Sequence, residues 1–296
     1  MSQSKGTFLV ILSAIFFSTE AIFSKLAYTS GVNFLSTITF RSAFVSLLLL
    51  AVMLLINQGL KVPKASWKLL GLLMVIFNTI GTCLFKAIEI LPASLAILFF
   101  YSFPAFTCLF DYLIKGEKLS RTKLLALVLA FCGLTLLHFS SIGRLPLLGV
   151  FFAFSAALAN SLFMVLSPLL LQKVHELTVT FWLFISGAVF YLIIGGVTGS
   201  LAYDLPIQGW IYLILLSVIS TAAANITLIY GLGVVGSTTA AIVQTLEPVV
   251  TAVLAFLVFD ERLHGWQVLG AILIVTAVLI PHLKWGVKAV NLHEVK

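Results

Sequence analysis

Apolar side chains fill long stretches of this chain, and short polar segments separate them. A helix that crosses the roughly 30 Å hydrocarbon core of a bilayer needs about 20 such residues in a row. The pattern predicts ten spanning helices, at 7–28, 35–56, 69–90, 92–114, 123–140, 147–171, 178–199, 209–231, 237–259 and 266–283. Because the connections are only a few residues long, we expect sequential helices to be antiparallel neighbours.

The chain also repeats itself. Residues 87–138 align with residues 231–282 without a gap, at an offset of 144 positions. The matched pairs include Pro104 with Pro248, Thr107 with Thr251, Leu113 with Leu257, Glu117 with Glu261, Leu119 with Leu263 and His138 with His282. Five helices per half is an odd number, so the two copies enter the membrane from opposite sides. We therefore predict an all-α membrane protein of ten transmembrane helices, built as two inverted five-helix repeats over residues 1–143 and 144–296.

Composition agrees with a protein of the bilayer. Hydrophobic residues make up 61% of the 296 positions, charged residues 9%, and the mean hydropathy is +1.18. A soluble domain carries roughly 25% charged residues, so this chain cannot cover a water-facing surface. The three cysteines lie within apolar runs and have neither disulfide nor metal-ligand spacing.

Basic residues decide the predicted orientation. With a cytoplasmic N-terminus, twelve of the 17 lysines and arginines fall at cytoplasmic positions, two in outer loops and three within spans. Cytoplasmic loops carry such an excess, so both termini are predicted to be cytoplasmic, in a multi-pass protein of the cell (inner) membrane. The same residues account for the net charge of +7 through contact with anionic lipid, so no nucleic-acid partner is expected.

Four segments resemble a known family. They are FFSTEAIFSKLAYTSGV (16–32), followed by Arg41 in FLSTITFRSAF, then KAIEILPASLAILFFYSFPAFTCLFDYLIKGEKLS (86–120) and YGLGVVGSTTAAIVQTLEPVVTAVLAFLVFDERL (230–263). They resemble the drug/metabolite transporter superfamily, and within it the EamA-type ten-helix carriers. The resemblance implies two EamA-like repeats and the export or exchange of amino acids, drugs or other metabolites. One departure is Lys86, which stands where the second half has the more usual Tyr230.

Charged residues inside the spans are the first candidates for chemistry, because a charge near the bilayer centre costs about 2.5–3.5 kcal/mol on insertion scales. Glu20 lies near the middle of helix 1 and is predicted to bind a proton or cation; the alternative is a structural pair with Lys25 or Arg41. Small multidrug exporters of the same superfamily also carry a glutamate in helix 1. Glu247 directly precedes Pro248, and its mate in the first half is Phe103.

The basic residues of the spans have two interpretations each. Arg41 either pairs with Glu20 or holds a substrate carboxylate through two hydrogen bonds. Lys86 either faces the substrate or pairs with Glu89 and extends outward. For Asp111, a surface pair with Lys115 four residues later is the predicted role.

Amide side chains either join helices or line a cavity. We expect a mid-depth chamber between helices 1, 3, 4, 6, 8 and 9, with Glu20, Asn160, Gln244 and Glu247 as its polar lining. The complete predicted substrate- or proton-binding set is Glu20, Arg41, Lys86, Asn160, Asn225, Tyr230, Gln244 and Glu247.

Two prolines occupy matched places in the repeat. Pro104 and Pro248 lie near mid-depth, and each removes a backbone donor from its helix. We expect a kink at each and predict that both act as hinges when one half rocks against the other.

The predicted activity is secondary active transport, most simply export of a small metabolite such as an amino acid by proton-coupled exchange with alternating access. The alternative within the superfamily is exchange of a drug or a nucleotide-sugar-like solute. A membrane-embedded enzyme or a channel is the rival from another class, but no catalytic motif or filter-like loop is present. The expected partners are the solute, a proton or counter-solute and the lipid bilayer, without cofactor or metal; a monomer is the working expectation.

Overall fold

The computed structural model describes residues 2–91, 93–116, 120–137, 146–259 and 264–280. Within these ranges the chain consists of helices and their connections, and no strand is present. The predicted all-α class is therefore confirmed.

The helices are, in chain order, α1 (Gln3–Thr29), α2 (Phe34–Leu55), α3 (Trp67–Ile90), α4 (Ala93–Phe100), α5 (Phe103–Lys115), α6 (Arg121–Leu137), α7 (Leu147–Leu171), α8 (Glu176–Thr198), α9 (Ile207–Leu215), α10 (Ala224–Val235), α11 (Ser237–Gln244), α12 (Glu247–Phe259) and α13 (Gly265–Leu279). A single 3₁₀ turn, Lys64–Ser66, precedes α3, and a π-helical segment, Leu216–Ala223, joins α9 to α10.

Eight helical stretches in the described part of the chain are long and apolar enough to cross a bilayer. They are Gln3–Thr29, Phe34–Leu55, Lys64–Ile88, Ala96–Lys115, Leu147–Leu171, Glu176–Thr198, Ile207–Val235 and Ser237–Val258. Helices α6 and α13 have only 17 and 15 residues. The spans predicted there, 123–140 and 266–283, extend past residues 137 and 280, and their last residues lie outside the described ranges.

Local sequence explains where several helices begin and end. Asn33 precedes α2, and its side-chain oxygen accepts a hydrogen bond from the backbone N–H of Ser36 at 2.8 Å, which satisfies a donor that the first turn leaves open. Gly116 after α5 and Gly199 after α8 have φ values of 69° and 62°. Glycine adopts this left-handed conformation without a Cβ clash and so ends a helix readily.

Two spans are interrupted at the matched prolines. The helical run stops after Phe100 and resumes at Phe103, and it stops after Gln244 and resumes at Glu247. Pro104 and Pro248 are each the second residue of the resumed helix, where a missing N–H removes no helical hydrogen bond. Each of the two prolines predicted to kink its helix therefore has a short break just upstream, at the same 144-residue offset as the sequence repeat.

Close helix pairs form the body of the protein. The most extensive contacts join α3 to α7, α6 to α13, α1 to α10 and α2 to α8. Helices α5 and α12 contact α7 and α1 respectively, and α11 packs against α5. Small residues permit the closest approaches: a Cβ atom at Gly133 on α6 would lie 2.6 Å from the carbonyl oxygen of Gly270 on α13.

Candidate functional site

An ion pair inside the helical bundle joins α1 to α2. The Arg41 guanidinium donates to Glu20 Oε1, which places the arginine in one of its two predicted roles. The two side chains are 15% and 30% exposed, respectively, so the pair is accessible rather than sealed. The Arg41 Nε atom is buried and has no hydrogen-bond partner in the described part of the protein. The Nε–H group of Arg41 is thus a buried donor that the described part of the protein leaves unused.

A second carboxylate lies beside this pair. Glu247 is the first residue of α12, and Tyr101, in the break between α4 and α5, lies close to it. Glu247 is also close enough to Glu20 for their charges to interact. The interruptions of both halves therefore meet at one cluster, which we call the central cluster: Glu20, Arg41, Tyr101 and Glu247.

The position of Glu247 at a helix start has an electrostatic consequence. The first turn of a helix presents unpaired N–H groups and the positive end of the helix dipole. A carboxylate, or the carboxylate of a solute, is stabilised there. Interrupted helices with this arrangement are a recurrent way to build a solute site at membrane depth.

The sequence analysis did not identify Tyr101. Its ring is 3% exposed and packs against Phe100 and Phe103, with ring centroids 5.7 and 5.5 Å away. One feature of the sequence could have indicated Tyr101: it lies three residues before Pro104. A residue in the break at this point faces the second half of the chain. Tyr28 and Tyr191 are further aromatic neighbours whose electrostatic surroundings include Arg41.

Two of the predicted amide side chains, those of Gln244 and Asn225, form hydrogen bonds within the bundle. The Gln244 side chain donates to Ser13 Oγ on α1 at 3.1 Å, and Ser13 donates to the carbonyl oxygen of Ala224 at 2.8 Å. Asn225 donates to the carbonyl oxygen of Thr221, one turn earlier, at 2.9 Å. Gln244 thus joins two helices, one of the two roles predicted for it, whereas the bond of Asn225 stays within its own span.

The other predicted residues stand apart from this group. Lys86 is exposed on α3, and Tyr230 packs edge-on against His175, the residue before α8, with ring centroids 6.4 Å apart. Asn160 is partly exposed on α7, and its amide has no hydrogen-bond partner among the described residues. The structure therefore brings together Glu20, Arg41 and Glu247 from the predicted set.

Two cavities are prominent, and neither is lined by the central cluster. A groove of about 800 Å³ lies between α3 and α8, with Asn78, Thr82 and Trp182 among its lining residues. A cleft of about 640 Å³ lies between the start of α1, the start of α6 and α11, beside Lys123 and Thr239. The mid-depth chamber predicted from the sequence is not one of these two spaces.

The π-helical segment in the eighth predicted span was not foreseen. The Thr221 hydroxyl donates to the carbonyl oxygen of Leu216, five residues earlier, at 2.8 Å, as the wider turn requires. Ser220 contacts Thr19, whose hydroxyl oxygen lies 2.6 Å from its own, and so links the segment to α1 one residue before Glu20. Such π-turns occur frequently at functional sites.

The prediction for Asp111 is wrong in one respect. Its pair with Lys115 is present, at 2.9 Å from Nζ to Oδ1, but the Asp111 side chain is only 3% exposed. It is buried because α11 packs over it and supplies further donors. No group of three or more histidine, cysteine, aspartate or glutamate residues able to hold a metal ion occurs among the described residues.

Comparison with known proteins gives a consistent result. The profile of the EamA-like transporter family matches the chain twice, over residues 4–139 and 147–281. An uncharacterized transporter from Clostridium kluyveri is 24% identical over 289 residues, covering 94% of this chain and 93% of the relative. One from Archaeoglobus fulgidus is 27% identical over 278 residues, covering 93% and 95%.

A solved structure, named only "Crystal structure of protein", has the same fold. Its TM-score is 0.82, and the match covers 95% of this chain and 97% of that chain. The sequence identity is 18%, so the likeness concerns the fold alone.

Proposed function

Because this chain belongs to the EamA-like transporter family, we propose that it is a secondary carrier that exports a small metabolite, such as an amino acid, in exchange for protons. The chain is a multi-pass membrane transporter, as its family and its long apolar helices show. The solute, the coupling ion and the direction are our proposal.

The central cluster supports this proposal most directly. It offers a guanidinium with one unused buried donor, two carboxylates and a phenolic hydroxyl at the meeting point of the two interrupted spans. A zwitterion has complementary charges: its carboxylate suits Arg41 and its ammonium suits Glu20 or Glu247. Bidentate pairing of guanidinium with carboxylate also provides geometric selectivity.

Proton exchange follows from competition for the same groups. A bound ammonium requires an ionised carboxylate, whereas a proton on that carboxylate removes the charge that holds the ammonium. Solute and proton therefore cannot occupy the site together. When one of them has crossed the membrane and left the site, the other can bind. Glu20 and Glu247 are the proposed proton acceptors, and Arg41 is the proposed partner of the solute carboxylate.

The proposed architecture is ten spans arranged as two inverted repeats. Moving along the chain by 144 residues converts α4 and α5 into α11 and α12 with identical bounds. The same exchange converts the α3–α7 pair into the α10–α1 pair and the α5–α7 contact into the α12–α1 contact. A pseudo-two-fold axis in the membrane plane accounts for this pattern of contacts. If the two halves exchange their conformations, an inward-open state becomes an outward-open state.

We further propose an inner-membrane location with both termini in the cytoplasm. The support is the distribution of lysine and arginine, twelve at cytoplasmic positions against two in outer loops. The breaks before Pro104 and Pro248 are the proposed hinges for rocking of the two halves.

A transport assay with a matched pair of variants tests the proposal. Purified protein in proteoliposomes is screened against labelled metabolite pools for saturable counterflow, with wild type compared to Glu20→Gln and Glu176→Gln. Glu176 is a suitable control because its side chain is 29% exposed, much like the 30% of Glu20, but lies at the start of α8 beside His175. We expect Glu20→Gln to lose at least about 90% of proton-dependent transport and Glu176→Gln to behave as wild type.

Three outcomes contradict parts of the proposal. A Glu20→Gln protein that transports normally and keeps its proton dependence refutes the coupling assignment. Flux that rises linearly with solute concentration, without counterflow, indicates a channel. Counterflow of a drug or nucleotide sugar, but of no amino acid, favours the alternative solutes of the superfamily.

A further inference from the structure

Asp111 is the centre of a polar connection between two helices that belong to different halves of the chain. Its carboxylate accepts hydrogen bonds from Ser237 Oγ at 2.5 and 2.7 Å. It also accepts from the backbone N–H and the hydroxyl of Thr238 at 3.1 and 2.6 Å. Asp111 is on α5, and both donors are the first residues of α11.

Lys115 completes the connection from the same side. Its ammonium lies 2.9 Å from Asp111 Oδ1 and donates to Ser237 Oγ at 2.8 Å. The Asp111 carboxylate therefore satisfies the first turn of α11 as a capping side chain does, but from another helix. Residues 237 and 238 are 2% and 4% exposed, so the hydrogen bonds between them and the Asp111 carboxylate are shielded from water.

The second repeat lacks the equivalent residues. At the offset of 144, Asp111 corresponds to Ala255 and Lys115 to Phe259, while Ser237 corresponds to Ala93. An inverted repeat would place these counterparts at the opposite membrane face, where neither the acceptor nor the ammonium exists. The polar connection is thus a feature of one end of the protein, not of the repeat.

We propose that Asp111, Lys115, Ser237 and Thr238 form a latch that holds the cytoplasmic ends of α5 and α11 together and so stabilises the state closed to the cytoplasm. This inference rests on the proposed carrier function and orientation. Opening toward the cytoplasm separates α5 from α11 and breaks the hydrogen bonds that Asp111 and Lys115 form with Ser237 and Thr238, whereas opening to the outside leaves them intact. Because the opposite face has no counterpart, the resting carrier favours the cytoplasm-closed state.

Cys108 provides a native reporter for this movement. It lies three residues before Asp111 on α5, is 7% exposed and contacts the Thr238 side chain. The interface that the latch closes therefore covers its thiol. Separation of α5 from α11 exposes that thiol to the cytoplasmic side.

The test measures the rate at which a membrane-impermeant maleimide labels Cys108. The background carries Cys83→Ser and Cys132→Ser, and the protein is studied in inside-out and right-side-out membrane vesicles. The test variants are Asp111→Asn and, as a milder change that keeps the carboxylate, Ser237→Ala. Thr239→Ala is the control, because it is on the same turn of α11 and has no hydrogen bond to Asp111 among the described contacts.

The latch predicts faster labelling in inside-out vesicles only. We expect an increase of about tenfold for Asp111→Asn, since hydrogen bonds to charged groups are among the stronger ones, and about threefold for Ser237→Ala. Thr239→Ala should label at the background rate. A single symmetric peak in size-exclusion chromatography in detergent shows that a variant is folded. If Asp111→Asn does not fold, the labelling rate of Ser237→Ala is the test of the latch.

Unchanged labelling in the folded variants overturns the latch. Labelling that rises only in right-side-out vesicles refutes its cytoplasmic position and therefore also overturns the proposal as stated. The readout needs no transported solute, so failure to find a substrate affects the proposed function but not this result.

Discussion

At the scale of single residues, charges are the most informative feature of this chain. Each ionisable group inside the bilayer needs a partner or a task because an unpaired charge is costly there. Its depth in helix 1 makes Glu20 a candidate, and Arg41, one of its two predicted partners, contacts it. The sequence could suggest this contact because the two residues are only 21 positions apart and lie on helices predicted to be neighbours.

Breaking this ion pair should have unequal effects on its two members. Glu20→Gln leaves a guanidinium that cannot lose its proton, whereas Arg41→Met leaves carboxylates that can become neutral. We therefore expect Glu20→Gln to be the more destabilising change, by about 1 kcal/mol or more. Thermal unfolding in detergent provides the measurement.

The double variant Glu20→Gln/Arg41→Met is the control for that comparison. It removes both charges and should unfold at a higher temperature than Glu20→Gln alone. Unfolding temperatures equal to that of wild type in all three variants would mean that the pair contributes nothing to stability.

Asp111 and Tyr101 illustrate what sequence could not give at this scale. The pairing of Asp111 with Lys115 was predictable from a spacing of four residues, but its burial depends on Ser237, 126 positions later. Tyr101 acquires its role because Glu247 arrives opposite it from the second half. Contacts between distant segments require the tertiary arrangement, which local patterns do not contain.

At the scale of helices, the lengths of the apolar runs predicted where the helices lie but not where they are interrupted. The predicted span 237–259 is occupied by α11 and α12, with a break that the sequence suggested only as a kink. A proline shortly after a helix start is compatible with a bend or an interruption. The π-helical segment left no signal, because one extra residue per turn does not alter the pattern of a helix that is apolar on most sides.

The two breaks should matter for movement more than for assembly. We expect Pro104→Ala and Pro248→Ala to slow transport by about tenfold, since each allows the helix to close over the break, while expression falls by less than half. The measurement compares initial transport rate per folded protein with the yield of folded protein. Proportional loss of rate and yield would indicate a packing role alone.

Close packing of α6 on α13 depends on the absence of a side chain. Gly133→Ala places a Cβ atom 2.6 Å from the Gly270 carbonyl oxygen, so the helices must separate, and we expect a loss of about 1–3 kcal/mol. Gly71→Ala on α3 is the matched control, because nothing lies within 4 Å of its added Cβ.

Thermal unfolding of the two glycine variants decides the matter. The control should be neutral or slightly stabilising, as alanine favours a helix over glycine by up to about 1 kcal/mol. A Gly133→Ala protein as stable as the control would show that α6 and α13 do not constrain each other.

At the scale of the whole molecule, the repeat explains more than any single motif. It led to two similar halves before any contact was known, and the family profile also matches the chain twice. The shared bounds of α4–α5 and α11–α12 and the exchange of helix pairs at one offset follow naturally from duplication. The repeat could not supply the differences between the halves: Glu247 aligns with Phe103, and Asp111 aligns with Ala255.

The opposite orientation of the halves is tested most directly by the membrane side of two matched turns. In a background with all three cysteines replaced by serine, Lys118→Cys and Arg262→Cys are labelled with a membrane-impermeant maleimide in vesicles of defined orientation. Duplication with inversion predicts that Arg262→Cys is labelled in right-side-out vesicles and Lys118→Cys only in inside-out ones. Labelling of both cysteines from the same side would contradict it.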